Sequence, residues 1–301
     1  MSTLPKIIVI VGPTASGKTA LSLELANQFN GEIINADSRQ VYRGMDIGTA
    51  KEISDGKQNG YVVRGIRHHL IDVVNPDEEF TLAHYKKMAF EAIDGILSRG
   101  KMPIVVGGTG LYVRTIVDNP DIPAVAPDSK LRAELEKKSI SELAELLFKL
   151  DPKTAEKIDL KNPRRLIRAI EVAMSGESFL DLQNRFHPRY DALQIGLALP
   201  REELNRRINA RVDQQIKDGL VEEVKNLAKK YSWELPAMSG IGYKQIGLFL
   251  RGEINLPEAI EMIKRDTRQY AKRQMTWFKR DDHINWINDA TEAEELAKKF
   301  I

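Results

Sequence analysis

Eight consecutive residues near the start of the chain, Gly12-Pro13-Thr14-Ala15-Ser16-Gly17-Lys18-Thr19, follow the pattern G-x-x-x-x-G-K-[ST] of a phosphate-binding P-loop. Gly12 and Gly17 let the backbone curl so that its N–H groups point inward around an anion. Lys18 neutralises phosphate oxygens, and the hydroxyl of Thr19 suits Mg²⁺, a hard cation that takes oxygen ligands. The flanks agree: Lys6 to Val11 (KIIVIV) is a short β-branched apolar run, and Leu21, Leu25 and Phe29 recur at helical spacing behind the loop. A helix starting there adds partial positive charge to the anion site. The motif predicts that a polyphosphate or diphosphate is held by residues 12–19. It does not name the reaction, because hydrolases, kinases and switches all use it.

The acceptor side has to come from other strand ends. Asp37-Ser38 follow a second apolar run, Glu32 to Asn35 (EIIN). In a doubly wound sheet they emerge at the same carboxyl edge as the P-loop, beside the crevice where ligands bind. A carboxylate there can take a proton from an attacking group, hold the shell of a bound Mg²⁺, or cap its own loop. A third run, Lys101 to Val106 (KMPIVV), ends in Gly107-Gly108-Thr109-Gly110. Thr109 reads either as a substrate contact or as an ordinary residue of a strand-ending turn.

Two basic clusters complete the set. One is Lys161 to Arg168 (KNPRRLIR). The other, Lys264 to Arg280, carries seven Lys or Arg against one Asp and interleaves Tyr270, Trp277 and Phe278. A basic run alone is commonly a solvated helix face. Aromatic rings set among guanidinium groups also suit stacking on unpaired bases and neutralising phosphates, as single-stranded RNA requires.

The elements that position these groups follow from pattern and punctuation. Thr81 to Ser98 reads as a helix with Thr81 as N-cap and Gly100 as its stop. Three apolar strands alternating with helices imply an α/β fold with a P-loop NTPase-like parallel sheet core. The stretch Asp118 to Asp128 (DNPDIPAVAPD) breaks regular structure with three prolines. Helical patterns then run from Lys130 to about Leu182, and Leu193 to Leu199 (LQIGLAL) returns as a strand. The helical block therefore reads as an inserted all-helical domain, 119–189, within a core made of 1–118 and 190–301. Beyond it, 201–231, 243–251 and 257–280 read as helices, and His283 to Ile287 (HINWI) as a last short strand.

Composition sets the outer limits. With 301 residues and 42% hydrophobic content the chain can bury a substantial core. It has no cysteine, which excludes disulfides and thiolate chemistry. The five histidines show no zinc-type spacing, and the adjacent pair His68-His69 suits a loop. No run is long and apolar enough to span a bilayer and no signal peptide pattern opens the chain, so the expected compartment is the cytoplasm. The net charge of +2 points to no partner by itself.

Taken in order, the segments GPTASGKT (12–19), ADS (36–38), YRGMDIGTAK (42–51), VGGTGLY (106–112), PRRLIRAIEV (163–172), GIGYKQ (240–245) and RQYAKRQMTWF (268–278) resemble the tRNA dimethylallyltransferases. The resemblance implies that the P-loop binds dimethylallyl diphosphate and that the diphosphate is the leaving group. Lys18, Thr19 with Mg²⁺, and Arg211, by its place in RRINAR, would stabilise the charge on departing pyrophosphate. Asp37 would orient and deprotonate the exocyclic amine of the adenosine 3′-adjacent to the anticodon. Thr109 joins this catalytic set.

The resemblance also implies contacts to a tRNA anticodon stem-loop from Asp37, Ser38, Arg39, Gln40, Thr109 and Arg132, and from Arg164, Arg165 and Arg168. Further contacts come from Gly240, Ile241, Gly242, Tyr243, Lys244 and Gln245, and from Arg273, Gln274, Trp277, Lys279 and Arg280. The target base would leave its stack to meet the prenyl donor inside a channel. A monomer is expected.

Two other classes fit parts of the pattern. A small-molecule or nucleotide kinase would use the P-loop for ATP and Asp37 to deprotonate a hydroxyl. A nucleotide-gated RNA-binding protein would use the same loop with no group transfer. A near variant, prenyl transfer to free adenylate, is disfavoured by the helical insertion and the basic clusters.

Overall fold

The computed structural model describes residues 4–56, 60–123, 125 and 128–301. The core begins with β1 (Lys6–Val11), α1 (Lys18–Gln28) and β2 (Gly31–Asn35), followed by a hairpin of β3 (Tyr61–Val63) and β4 (Ile66–His69). It continues with α2 (Leu82–Ser98), β5 (Met102–Gly107) and α3 (Gly110–Val117). Five helices follow: α4 (Ser129–Leu135), α5 (Ile140–Leu150), α6 (Pro152–Lys157), α7 (Pro163–Met174) and α8 (Phe179–Gln183). The chain then adds β6 (Asp191–Leu197), α9 (Arg201–Lys217), α10 (Leu220–Ala228), α11 (Tyr243–Leu250), α12 (Leu256–Phe278), β7 (Asn285–Ile287) and α13 (Ala290–Phe300).

The seven strands form one sheet in the order β3-β4-β2-β5-β1-β6-β7, parallel except for the β3/β4 hairpin. Register aligns the strand ends. Val11 lies opposite Gly107 on one side and Gly196 on the other, and Asn35 lies opposite Val106. The loops that leave β1, β2 and β5 therefore start side by side at one edge. Alternation along β1 serves both faces. Ile7, Val9 and Val11 pack with Ile34, Val105, Tyr85, Ile93 and Ile116, whereas Ile8 and Ile10 pack with Ile33, Ile104, Leu21, Leu25, Ala293 and Ala297. Helices thus cover both faces, which is why the central strands read as continuous apolar runs.

Thr81 caps α2 through its Oγ1, which accepts the N–H of His84 at 3.2 Å, and Gly100 follows the helix with φ 67°. The run expected to be helical over 201–231 is two helices, broken where Gly219 takes φ 102°.

Two elements differ from the sequence expectation. His68 and His69 lie in strand β4 and not in a loop, because Arg64 (φ 51°) and Gly65 (φ 76°) make a tight two-residue turn. The helix α13 has no counterpart in the sequence reading; its alanines pack on the sheet face that also holds α1.

Contacts divide the chain into two compact units, one running to Val117 and resuming at Arg189, the other Asp118–Pro188. The second unit has its own core of Leu135, Leu143, Leu147, Leu166, Ile170 and Phe179. Of the three prolines that mark its start, Pro127 lies outside the described residues, as do Ala124 and Ala126 of the same stretch. Among the described residues no helix is long and apolar enough to cross a membrane.

Candidate active site

The loop 12–17 joins β1 to α1 and needs its glycines for separate reasons. A Cβ on Gly12 would stand 2.6 Å from the carbonyl oxygen of Leu197, so no side chain fits where the loop leaves β1 beside the end of β6. Gly17 takes φ 99° and caps α1 without a side-chain hydrogen bond, and no acidic residue stands in the first turn. The first N–H groups of α1 have no intrahelical acceptor and no competing carboxylate, which is the setting an anion requires. Ser16 Oγ is buried beside Gly12 with no hydrogen-bond partner, a polar atom left for a ligand.

Lys18 Nζ curls back to Pro13 O at 2.6 Å. Arg211, on α9, donates from Nη1 to Thr14 Oγ1 at 3.1 Å. Desolvation in the cleft and the charge of Arg211 lower the Lys18 pKa to about 7, against the opposing pull of Asp37. Burial also lowers the pKa of Arg211. Two cations crowded at one loop, with Asp37 as the carboxylate that offsets them, form a cradle that gains most when an anion enters.

Asp37 follows β2 in an Asx-type turn. Its Oδ1 accepts the N–H of Arg39 at 2.8 Å, and its own N–H goes to Asn35 Oδ1 at 3.0 Å. One carboxylate oxygen therefore caps the loop, and the second is left for chemistry. Thr109, after β5, accepts the Ser38 N–H at 3.0 Å through Oγ1 and sends its own N–H to Ala36 O at 3.1 Å. The hydroxyl of Thr109 thus acts on the neighbouring turn.

Thr14, Asp37, Arg211, Val212, Ile241, Ile263 and Tyr270 line one cavity of about 390 Å³, with Ser38, Arg39 and the segments 48–50 and 239–243 completing its wall. Its lining combines the polar Thr14, Asp37 and Arg211 with the apolar Val212, Ile241 and Ile263, and its volume lies within the roughly 300–1,000 Å³ usual for small-molecule sites.

The wall is braced by contacts between residues far apart in the sequence. Glu223, on α10, accepts the N–H groups of Asp46, Ile47 and Gly48 at 3.0, 2.7 and 3.1 Å and the hydroxyl of Tyr243 at 2.6 Å. Gln215 donates to Ile47 O at 2.6 Å. Gly48 is obligatory here, since a Cβ would meet the Tyr243 ring at 2.5 Å. Tyr270 stood out only as an aromatic among basic residues. Burial, then the charge of Asp37, push its phenol up to about 12, and it is hydrogen-bonded with Thr109. It is a neutral group facing the site.

The residues expected to touch RNA sort into two kinds. Ser38 and Arg39 line the cavity, as do Gly240, Ile241, Gly242 and Arg273. Lys244, Trp277, Lys279 and Arg280 are exposed in the core unit, and Arg164 and Arg165 are exposed at the start of α7 in the helical unit.

The others are engaged inside the protein, which departs from the expectation of RNA-facing side chains. Gln40 donates to Thr49 O at 3.1 Å. Gln245 accepts the Gly242 N–H at 2.9 Å and donates to Asp266 at 2.7 Å. Gln274 is 5% exposed with both amide ends bonded within the core. Tyr243 lines the cavity with its ring but is buried and tied to Glu223. In the helical unit Arg132 donates from Nε and Nη2 to Glu171 at 2.7 and 2.8 Å, and Arg168 donates to the same carboxylate at 3.1 Å. The Glu171 side chain is only 1% exposed, so a buried charge there demands these partners.

A magnesium ion fits the cradle in one way. Among the described residues no group of three or more His, Cys, Asp or Glu could hold a metal. Mg²⁺ usually takes one or two protein ligands with phosphates and waters completing its shell. The Thr19 hydroxyl at the start of α1, with the buried Ser16 hydroxyl nearby, suits an ion that arrives with a phosphorylated substrate.

A family model described as IPP transferase matches residues 40–281, and one described as isopentenyl transferase matches residues 5–61. A tRNA dimethylallyltransferase of Acetivibrio thermocellus is 46% identical over 98% of this chain and 96% of its own length. One of Desulforudis audaxviator is 47% identical over 96% and 93% respectively. Among solved structures, a tRNA delta(2)-isopentenylpyrophosphate transferase of Staphylococcus epidermidis superposes with a TM-score of 0.71 at 38% identity, covering 98% of each chain. A eukaryotic dimethylallyltransferase acting on tRNA superposes with a TM-score of 0.80 at 31% identity, covering 98% of this chain and 77% of that one.

Proposed function

The chain belongs to the IPP transferase family, and from that premise we propose that it transfers a dimethylallyl group from dimethylallyl diphosphate to the N6 amine of the adenosine 3′-adjacent to the anticodon in tRNA, releasing pyrophosphate. The observation that carries the reading is the shared cavity. Thr14 and Arg211 of the anion cradle, the carboxylate of Asp37 and the apolar side chains of Val212, Ile241 and Ile263 all face one space. A prenyl diphosphate has the matching halves, an anionic end for the P-loop and a small branched hydrocarbon for the apolar wall.

In the reaction the adenine nitrogen forms a bond to the allylic carbon while the bond from that carbon to the diphosphate oxygen breaks. The amine proton passes to the free oxygen of Asp37. Charge grows on the leaving pyrophosphate, and Lys18, Arg211 and the N–H groups at the start of α1 are disposed to receive it. Bound with the diphosphate on the Thr19 hydroxyl, Mg²⁺ would add further positive charge at the leaving group. An aromatic amine is a poor base, so the gain from Asp37 lies in placing an acceptor for its proton at the moment the new bond forms. The neutral phenol of Tyr270 and the Thr109 hydroxyl support this geometry and add no competing charge.

The RNA would be gripped by exposed cations and aromatics: Arg273, Trp277, Lys279, Arg280 and Lys244 in the core, Arg164 and Arg165 in the helical unit. The working unit in this reading is a monomer, acting in the cytoplasm where such an RNA is met.

A kinase would use the same cradle for ATP, and isotope transfer separates the two. The expected result is that label in the dimethylallyl carbon enters RNA and label in the γ-phosphate of ATP goes to no acceptor. Phosphoryl label on a small acceptor, with none of the prenyl label in RNA, would overturn the reading.

A further inference from the structure

Gln274 lies about one turn before the end of α12, where its neighbours Arg273 and Trp277 are exposed, yet it is itself buried. Its Oε1 accepts the backbone N–H of Thr14 at 2.8 Å, and its Nε2 donates to the carbonyl of Gly108 at 2.8 Å. The amide orientation is unambiguous, since one partner can only donate and the other can only accept. Gly108 must be a glycine for this contact: a Cβ there would stand 2.0 Å from Nε2.

The two partners belong to different halves of the site. Thr14 is the P-loop residue whose hydroxyl receives Arg211. Gly108 precedes Thr109, which holds the Ser38 N–H and so the turn carrying Asp37. The loops leaving β1 and β5 start side by side, and the Gln274 amide bonds to both of them. A second bond from the same helix face reinforces it, because Tyr270, one turn earlier, is hydrogen-bonded with Thr109.

We propose that Gln274 is a positioning residue that fixes the distance between the leaving-group cradle at Thr14 and the acceptor-side turn at Asp37, and that it makes no contact with RNA. This rests on the prenyl-transfer reading above. Without the amide, Thr14 N–H and Gly108 C=O would lose their partners, and the two loops would drift by the small distances that orientation-dependent catalysis does not tolerate.

The test compares wild type, Gln274→Leu and Gln274→Glu on an anticodon stem-loop, measuring kcat, KM and equilibrium RNA binding. Leucine removes both bonds at similar volume, and kcat should fall on the order of 10- to 100-fold, with the RNA Kd within about twofold of wild type. Glutamate keeps the acceptor for Thr14 N–H and sets a carboxylate against the Gly108 carbonyl. That burial and the facing carbonyl raise the introduced group's pKa, and once protonated it can donate to Gly108 as the amide does.

The kcat of Gln274→Glu relative to wild type should therefore rise as pH falls from about 8 to about 6, while that of Gln274→Leu stays flat. If Gln274→Leu is too unstable to assay, the relative pH profile of Gln274→Glu decides alone. Weakened RNA binding with kcat intact at saturating RNA, or a Gln274→Glu profile parallel to wild type, would overturn the proposal. Absence of prenyl transfer by the wild type would instead overturn the functional reading on which it rests.

Discussion

Thr109 Oγ1 accepts the backbone N–H of Ser38 at 3.0 Å, so the end of β5 holds the turn on which Asp37 sits. The hydroxyl works through its neighbour, and its removal should show in turnover more than in binding. Thr109→Val leaves the Ser38 N–H without its acceptor, a loss of about 1–3 kcal/mol if that energy is expressed at the reacting geometry. The expected result is a kcat lowered roughly 10- to 100-fold with stem-loop affinity within about twofold, and substantial recovery in Thr109→Ser. Steady-state kinetics beside filter binding measures both.

Asp37 holds its own loop with one oxygen and offers the other, so the amide and the alanine separate these roles. Asp37→Asn keeps an acceptor for the Arg39 N–H and loses the base. Its melting temperature should stay within a few degrees of wild type while kcat falls by a factor on the order of 10² to 10⁴. Asp37→Ala should show the same loss of turnover and a lower melting temperature as well. An Asp37→Asn enzyme with wild-type turnover would leave the residue a loop cap only.

Lys18 makes donor binding depend on pH in a definite direction. With its pKa lowered to about 7 by desolvation and Arg211, it is largely neutral in the free protein above that pH, although charged below it. An anionic diphosphate favours the charged form, so binding above about pH 7 must draw in a proton, and affinity falls as pH rises. Calorimetry at about pH 8 in buffers of different ionisation enthalpy should show close to one more proton taken up by wild type than by Lys18→Met. The titration of the free ligand is common to the two proteins. Equal proton uptake would contradict the prediction.

The arginines of the helical unit should split by stability. Arg164 and Arg165 are exposed, and replacing either with alanine should leave the melting temperature unchanged, weaken RNA binding and reduce the salt slope of log K by about 0.7 to 0.9 per charge. Arg132→Ala strips two bonds from the buried Glu171 and should destabilise the protein by about 1–3 kcal/mol. Thermal melts together with binding across a salt series distinguish the two behaviours.

The P-loop, the capped helix α2 and the central strands were legible in the sequence because each rests on residues adjacent in the chain. Glycines, the lysine and flanking periodicity sit within Lys6 to Phe29. The β3/β4 hairpin escaped because its strands have three and four residues and its turn places an arginine at positive φ. Inside the site the limits were those of sequence distance. Gln274 meets Thr14 across 260 residues and Glu223 meets Gly48 across 175, and neither contact leaves a local pattern. A motif assigns one role to every side chain of its segment. On α12, Arg273 and Trp277 are exposed while Gln274 between them is buried, and only the packing separates them.

The most direct test of the central claim is mass analysis of an anticodon stem-loop, bearing adenosine 3′ to the anticodon, after incubation with the protein, Mg²⁺ and dimethylallyl diphosphate. The account predicts a gain of one dimethylallyl group on that adenosine with an equivalent of pyrophosphate released, and a strongly reduced gain with Asp37→Asn. RNA recovered unmodified with the wild-type protein, although it binds the stem-loop and the diphosphate, would contradict it.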